Sequence, residues 1–329
     1  MRILFFGSGG GRVMVYKQIR KTAGFFIELD KKILVDPGVG SYLWFTMNFE
    51  DKVDIEKLDY ILVSHAHIDH CHDLIPYIDR ITVGGKKKKK IKLIASPSVI
   101  EGREFGPCID KRYLDYLDSY EIFEDKKEYK LSEDTNLRVI KNNHTDPWTF
   151  SMRLDNKEVS IGYIADTAYF EELKEFFEGV NILIVNCLRP LNDKHSYHLT
   201  ANDTYEIARH VKPDLLILHH QGFKFLKREI EHLKFFNIRG IKTIFSYEGL
   251  EINLRDFSIR YTLNKPYYYD FLKELFLIQD LRNLNKKENY KKPKDKVTEM
   301  LNEIKKQFYG EDLKLTQTWV DKDKLRRFK

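Results

Sequence analysis

Residues 64–73 read Ser-His-Ala-His-Ile-Asp-His-Cys-His-Asp. Imidazole nitrogens and carboxylate oxygens are the ligands that zinc and similar divalent ions prefer. If the chain stays extended, His65 and His67 project the same way and both rings can meet one ion. Asp69 and His70, past a bend, can turn toward a second ion. Two ions roughly 3.5–4 Å apart can share a hydroxide and clamp both oxygens of a displacement. The plainer alternative is a surface loop that happens to be His-rich. Four histidines in eight positions, directly after an apolar run, weigh against it.

Such a centre needs more ligands, and elements that place them. Tyr60–Val63, Leu137–Ile140, Ser160–Ala165 and Asp214–Leu218 are short apolar runs that read as buried strands. The first leads into the His-rich stretch, the second into His144, the third into Asp166 and the fourth into His219-His220. Loops at strand ends are held by a rigid sheet, which is why ligand sites collect there. Leu74, Ile75, Tyr77 and Ile78 have helical spacing and predict a helix over 73–81. Thr200, with Asp203 three positions on, predicts the start of a helix over 201–210. His198 stands just ahead of that helix. It can reach into a cleft, or it merely decorates a helix start.

In order along the chain, ILFFGSGGGR, ILVDPG, SHAHIDH, NNHTDP, GYIADTAY, HLTANDTYEIARHVKPDLLILHH and FSYEGLEINL resemble the metallo-β-lactamase superfamily. The resemblance is greatest to its ribonuclease Z and cyclic-phosphate phosphodiesterase branch and spans residues 1–257. It implies an α/β (α+β) fold, a four-layer αββα sandwich, assigned here to residues 1–264; the residues beyond it, 265–329, read separately as a basic helical extension. It implies that His65, His67 and His144 hold one metal. Asp69, His70 and either His219 or His220 hold the other, with His220 favoured by the register. Asp166 bridges both, and Asp36 orients a metal-bound histidine. Asp69, besides its place at the second metal, and His198 are the catalytic candidates. In that branch a histidine in an H-x-T element contacts the scissile phosphate or protonates the leaving oxygen, a task suited to a pKa near neutrality.

A glutamate in place of His67 would imply a redox di-iron site, and a cysteine in place of Asp166 a β-lactamase-like zinc site. Neither is present, so the resemblance implies hydrolysis without redox, with zinc first and manganese or iron as alternatives. The expected activity is that of a phosphodiesterase or nuclease. A metal-bridging hydroxide attacks a small cyclic or nucleotide-like phosphodiester or an RNA end. One alternative is an acyl hydrolase of the same fold, acting on a lactone or thioester. Another is a metal-containing nucleic-acid-binding protein without turnover, against which the complete ligand set argues.

Other features add less. GSGGGR, residues 7–12, lacks the lysine-serine ending of a nucleotide loop and reads as a tight turn into the next strand, with Arg12 near the rim. His72 and Asp73 are expected behind the ligands, and Cys71 in packing. Lys86–Lys90 could neutralise phosphates near a cleft mouth. Residues 101–131 are expected as an insertion beside the site. They contain nothing like the tRNA-clamping arm of ribonuclease Z, which argues against tRNA processing.

Three cysteines are too few and scattered for a disulfide framework. The first apolar run is too short for a signal peptide, and no stretch approaches the roughly 18 apolar residues of a membrane span. A cytoplasmic enzyme is expected. Residues 265–329 hold 17 Lys and Arg against 11 Asp and Glu, so the whole net charge of +6 lies there. Two helices, over 268–283 and 295–308, are expected in this tail. Leu272, Leu275 and Phe276 give the first an apolar stripe that packs on the core or on a second subunit. Nucleic-acid contact is the alternative.

Overall fold

The computed structural model describes residues 1–87 and 90–261. The C-terminal extension and its two expected helices lie outside the described residues.

The strands are β1 (Arg2–Phe5), β2 (Phe25–Glu28), β3 (Lys32–Val35), β4 (Tyr60–Val63), β5 (Lys92–Ala95), β6 (Ser119–Ile122), β7 (Glu128–Lys130) and β8 (Thr135–Lys141). They continue with β9 (Phe150–Asn156), β10 (Ser160–Ile164), β11 (Ile182–Asn186), β12 (Leu215–His219), β13 (Thr243–Phe245), β14 (Leu250–Asn253) and β15 (Ile259–Tyr261). Ten helices lie between them: α1 (Arg12–Lys17), α2 (Ser41–Asn48), α3 (Ile68–Cys71), α4 (Leu74–Thr82), α5 (Pro97–Ile100), α6 (Lys111–Leu114), α7 (Glu172–Phe176), α8 (Ala201–Val211), α9 (Phe223–Leu226) and α10 (Glu229–Asn237) among the described residues.

The strands form two mixed sheets, in the orders β15-β14-β1-β2-β3-β4-β5-β6 and β13-β12-β11-β10-β9-β8-β7. In the first, β3 to β6 run parallel; in the second, β10 to β13 do. Parallel strands buried on both faces carry unbroken apolar runs, and β4 shows how one run serves two layers. Tyr60 and Leu62 enter the core between the sheets, beside Ile161, Ile184 and Ile217. Ile61 and Val63 face the other way, onto Phe45 of α2 and Leu74 and Ile78 of α4. The second sheet does the same: Leu216 and Leu218 pack with Ile207 and Ala208 of α8 and Phe236 of α10. Each such side chain contributes about 1.5–3 kcal/mol by leaving water. The result is the expected αββα sandwich.

Two local expectations need correcting. The glycine loop does not turn straight into a strand. It opens α1 immediately after Gly11, whose φ of 80° only glycine adopts freely. Residues 101–131 are not a separate insertion either. The strands β6 and β7 within them each finish the edge of a sheet, and only the loop from 105 to 108 reaches the cleft. The helix after the histidine-rich loop and the capping box of α8, Thr200 with Asp203, form as expected.

Candidate metal centre

The ends of β3, β4, β8, β10 and β12 converge on one rim of the sandwich, and the loops leaving them carry Asp36, His65 to His70, His144, Asp166 and His220. Two groups of side chains meet there. His65, His67, His144 and Asp166 form one, and Asp69, His70 and His220 the other. His65 Nε2 lies 3.0 Å from His67 Nδ1, and His144 Nε2 lies 3.2 Å from the same atom. His220 Nε2 is 2.9 Å from His70 Nε2 and 3.2 Å from Asp69 Oδ2. The Asp166 carboxylate stands between the groups. Its Oδ2 is 3.7 Å from both His70 Nε2 and His144 Nε2, and its Oδ1 is 3.4 Å from His220 Nδ1.

The outer ring nitrogens dictate what the inner ones can do. His144 Nδ1 donates to the Tyr197 carbonyl at 2.9 Å, so Nε2 is bare. Ser64 Oγ gives its proton to Asp36 at 2.7 Å, so it accepts from His65 Nδ1 at 2.9 Å, and His65 Nε2 is bare too. His70 Nδ1 donates to Asp36 Oδ2 at 2.8 Å, which turns His70 Nε2 inward. The bare Nε2 atoms of His65 and His144 therefore both face His67 Nδ1 across about 3 Å, beside a buried carboxylate. A single N–H on His67 Nδ1 cannot serve both acceptors fully, and His220 Nδ1 and His198 Nδ1 have no hydrogen-bond partner among the described residues. Divalent cations satisfy it, so the residues fit the metals that the sequence implied.

Electrostatics agree. Burial pushes His65 well below the ordinary imidazole value, and His67 and His144 below it, so all three are neutral and ready to coordinate. His70 is drawn the other way: burial opposes protonation, but Asp166 and Asp36 raise it well above its usual value, so the metal-free ring holds a proton that a bound cation would displace. Burial alone would raise the Asp166 carboxyl; His220, His198 and His70 hold it well below the usual range.

Strand pleat separates the two adjacent histidines. Leu215 and Ile217 of β12 point between the sheets, and His219 continues that alternation. It is buried against the rings of Phe5, Phe25 and Tyr163, with Nδ1 on Ser246 Oγ at 2.8 Å. His220 lies past the strand end, and its φ of 53° swings the ring into the cluster. Asp36 has φ 46°. Left-handed backbone at a non-glycine residue is costly and concentrates at functional sites.

The remaining expected residues divide. His198 lines the cleft with Nδ1 3.5 Å from Asp166 Oδ2 and its ring 4.9 Å from that of His144; burial pushes its pKa down to about 3. His72 is exposed on the cleft wall. Asp73 turns away and accepts from the Tyr42 N–H at 2.9 Å, near the start of α2. Lys86, Lys87 and Lys90 are exposed and do not line the cleft. Cys71 packs as expected, its Sγ 2.8 Å from Cys108 Sγ.

Several supporting residues escaped the sequence reading. Asp146 is buried and accepts from the Ala66 N–H at 3.0 Å and Ser98 Oγ at 2.6 Å, bracing the loop between His65 and His67. Asn186 Nδ2 donates to Asp166 Oδ1 at 2.8 Å, and Tyr163 donates to Asp36 at 2.7 Å. The glycine loop turns out to support the second group. Gly11 N donates to Asp69 Oδ2 at 2.7 Å. A Cβ on Gly10 would lie 2.1 Å from His220 Nδ1. Gly10→Ala is therefore expected to push His220 aside and lower kcat by about 10²-fold, the cost of misplacing a reacting group by roughly an ångström. Metal titration should show one weakened site. Two intact sites would show that the ring tolerates the displacement.

The cleft above has a volume of about 1560 Å³. Arg12, Arg189, Lys224, His195, Tyr16, Phe105, Leu188 and Phe223 line it. No helix among the described residues is long and apolar enough to cross a membrane.

A model of the β-lactamase superfamily domain matches residues 31–221. An uncharacterised protein of Methanocaldococcus jannaschii is 32% identical over 269 residues, covering 80% of this chain and 99% of that protein. A ribonuclease Z of Thermococcus onnurineus is 24% identical, over 68% of this chain and 86% of the enzyme. Among solved structures, the metallo-β-lactamase fold protein YhfI of Bacillus subtilis superposes with a TM-score of 0.61 at 19% identity, covering 76% of this chain and 98% of YhfI. The chain belongs to the metallo-β-lactamase superfamily of metal-dependent hydrolases.

Proposed function

We propose that residues 1–264 form a phosphodiesterase that binds two divalent ions, zinc foremost, and cleaves a small phosphodiester. The observation that carries this reading is the pair of His/Asp groups joined through Asp166 on the floor of a cleft whose wall holds Arg12, Arg189 and Lys224. His65, His67, His144 and Asp166 would hold one ion, and Asp69, His70, His220 and Asp166 the other. When bound, such ions supply a nucleophile from water at neutral pH and Lewis acidity toward phosphoryl oxygens.

The chain's own residues do the rest. Asp36 and Ser64 fix the His70 and His65 rings, and Tyr197 fixes His144. Asn186 holds the Asp166 carboxylate, and Gly11 holds that of Asp69. The cations along the wall attract and orient an anionic substrate. His198, neutral in its buried position, donates its single N–H to a phosphoryl oxygen and stabilises charge there. The ribonuclease Z relative supports phosphodiester over acyl chemistry, and the sparse cations of the wall favour a small substrate over a long RNA tract.

The test is hydrolysis of 2′,3′-cyclic nucleotides, bis-p-nitrophenyl phosphate, short RNA, lactones and thioesters by the zinc-loaded protein. Fast lactone or thioester cleavage without phosphodiester cleavage would overturn the reading. His198→Ala is expected to keep both metals and lose about 10²–10³-fold in kcat, the scale of one donor to a developing oxyanion. The loss should be equal for cyclic nucleotides and bis-p-nitrophenyl phosphate. A loss that spares the p-nitrophenyl ester would make His198 the acid for the leaving group.

A further inference from the structure

We propose that Phe105 is a stacking platform for a nucleobase, so that the cleft selects base-bearing phosphodiesters over aliphatic ones; this rests on the phosphodiester reading. Phe105 lines the cleft, yet 52% of it is exposed. Its ring and that of His67 form a T-shaped pair, with centroids 5.5 Å apart. A large aromatic left half in water on a cleft wall, beside a metal-site histidine, offers apolar surface to a substrate lying over the metal centre.

The loop that carries it is built rather than loose. Gly102 and Gly106 take φ values of 76° and 79°, and Gly106 N donates to the Gly102 carbonyl at 3.0 Å. A Cβ on Gly102 would strike Pro107 at 2.4 Å. Cys108 N donates to the Val99 carbonyl at 2.9 Å, and Cys108 Sγ rests on Cys71, next in the chain to His70. The loop neck is thus anchored to the helix that carries Asp69 and His70.

The rest of the wall fits the same ligand. Val13, Leu188 and Phe223 add apolar surface, and so does Tyr16, which is 68% exposed. Arg189 and Lys224 already share Asp193, whereas Arg12 has no ion pair among the described residues. One open cation and an extensive apolar wall suit one planar base with one or two phosphates. They do not suit a phosphate track, which needs a row of cations.

The test compares the full chain, zinc-loaded, with its Phe105→Ala and Phe105→Trp variants. One substrate is 2′,3′-cyclic adenosine monophosphate, and the other is glycerol 1,2-cyclic phosphate, which lacks a base. Phe105→Ala is expected to lower the preference for the nucleotide by roughly 10–100-fold through KM, and Phe105→Trp to keep it. Calorimetry provides a readout without turnover. Adenosine 5′-monophosphate should bind more tightly than ribose 5-phosphate to the wild type, and equally to Phe105→Ala. Turnover of both substrates with an unchanged preference in Phe105→Ala would overturn the platform and leave the phosphodiesterase intact. Equal losses on both substrates would also overturn it, since an apolar wall without base recognition gives that result. No turnover of either substrate, nor of bis-p-nitrophenyl phosphate or short RNA, with a Phe105-dependent preference for the adenosine nucleotide, would uphold the platform and sink the phosphodiester reading.

Discussion

Asp166→Ala is expected to release metal and to lower kcat by about 10³-fold or more on any substrate the wild type turns over. The carboxylate touches both groups of candidate ligands, so its removal weakens two sites at once. Ions that polarise the reacting oxygens contribute several kcal/mol to catalysis, which sets the scale of the loss. Elemental analysis after dialysis should find well under two equivalents. The melting temperature provides an independent check: zinc should stabilise the wild type, because it binds the folded chain, and should stabilise Asp166→Ala far less. Retention of two tightly bound ions and full activity in the variant would remove Asp166 from the centre.

The second large effect is a contrast between neighbours. His220→Ala should cost one metal equivalent and about 10³-fold in kcat, with little change in the fold. His219→Ala should keep both metals. It empties a fully buried position among Phe5, Phe25 and Tyr163, and the expected cost is about 2–4 kcal/mol of stability. A calorimetric melt and a metal assay on the two variants separate the outcomes. Metal loss in His219→Ala with none in His220→Ala would transfer the role one residue back.

Much of the architecture was legible in the sequence because its signals are local. Apolar runs such as Tyr60–Val63 announce strands buried on both faces, and Thr200 with Asp203 announces a helix. The polar residues that end these runs pointed to a rim of candidate ligands, and the family that the ordered motifs resemble implied the layered fold. His65, His67, Asp69 and His70 stood out because one strand end carries all four. Where a segment's conformation depends on partners far along the chain, the signal was absent. The glycine loop looked like a plain turn, since its work is to clear the His220 ring about 210 residues later. Residues 119–122 and 128–130 looked like an insertion, since short edge strands declare themselves only against a neighbouring sheet.

The choice between His219 and His220 belonged to the tertiary structure as well. Both have the same chemistry, and only the pleat of β12, followed by a left-handed residue, sends one into the core and the other to the rim. Asp146, Asn186, Ser64 and Tyr163 are ordinary polar residues by sequence. They gain their roles because the sheets bring them within hydrogen-bond reach of a ligand loop, and a buried polar group must find its partner wherever the fold places one. Residue type and strand order thus set which chemistry was available. Long-range packing set which atoms could share it, because distances of about 3 Å between residues 150 positions apart are properties of the folded chain alone.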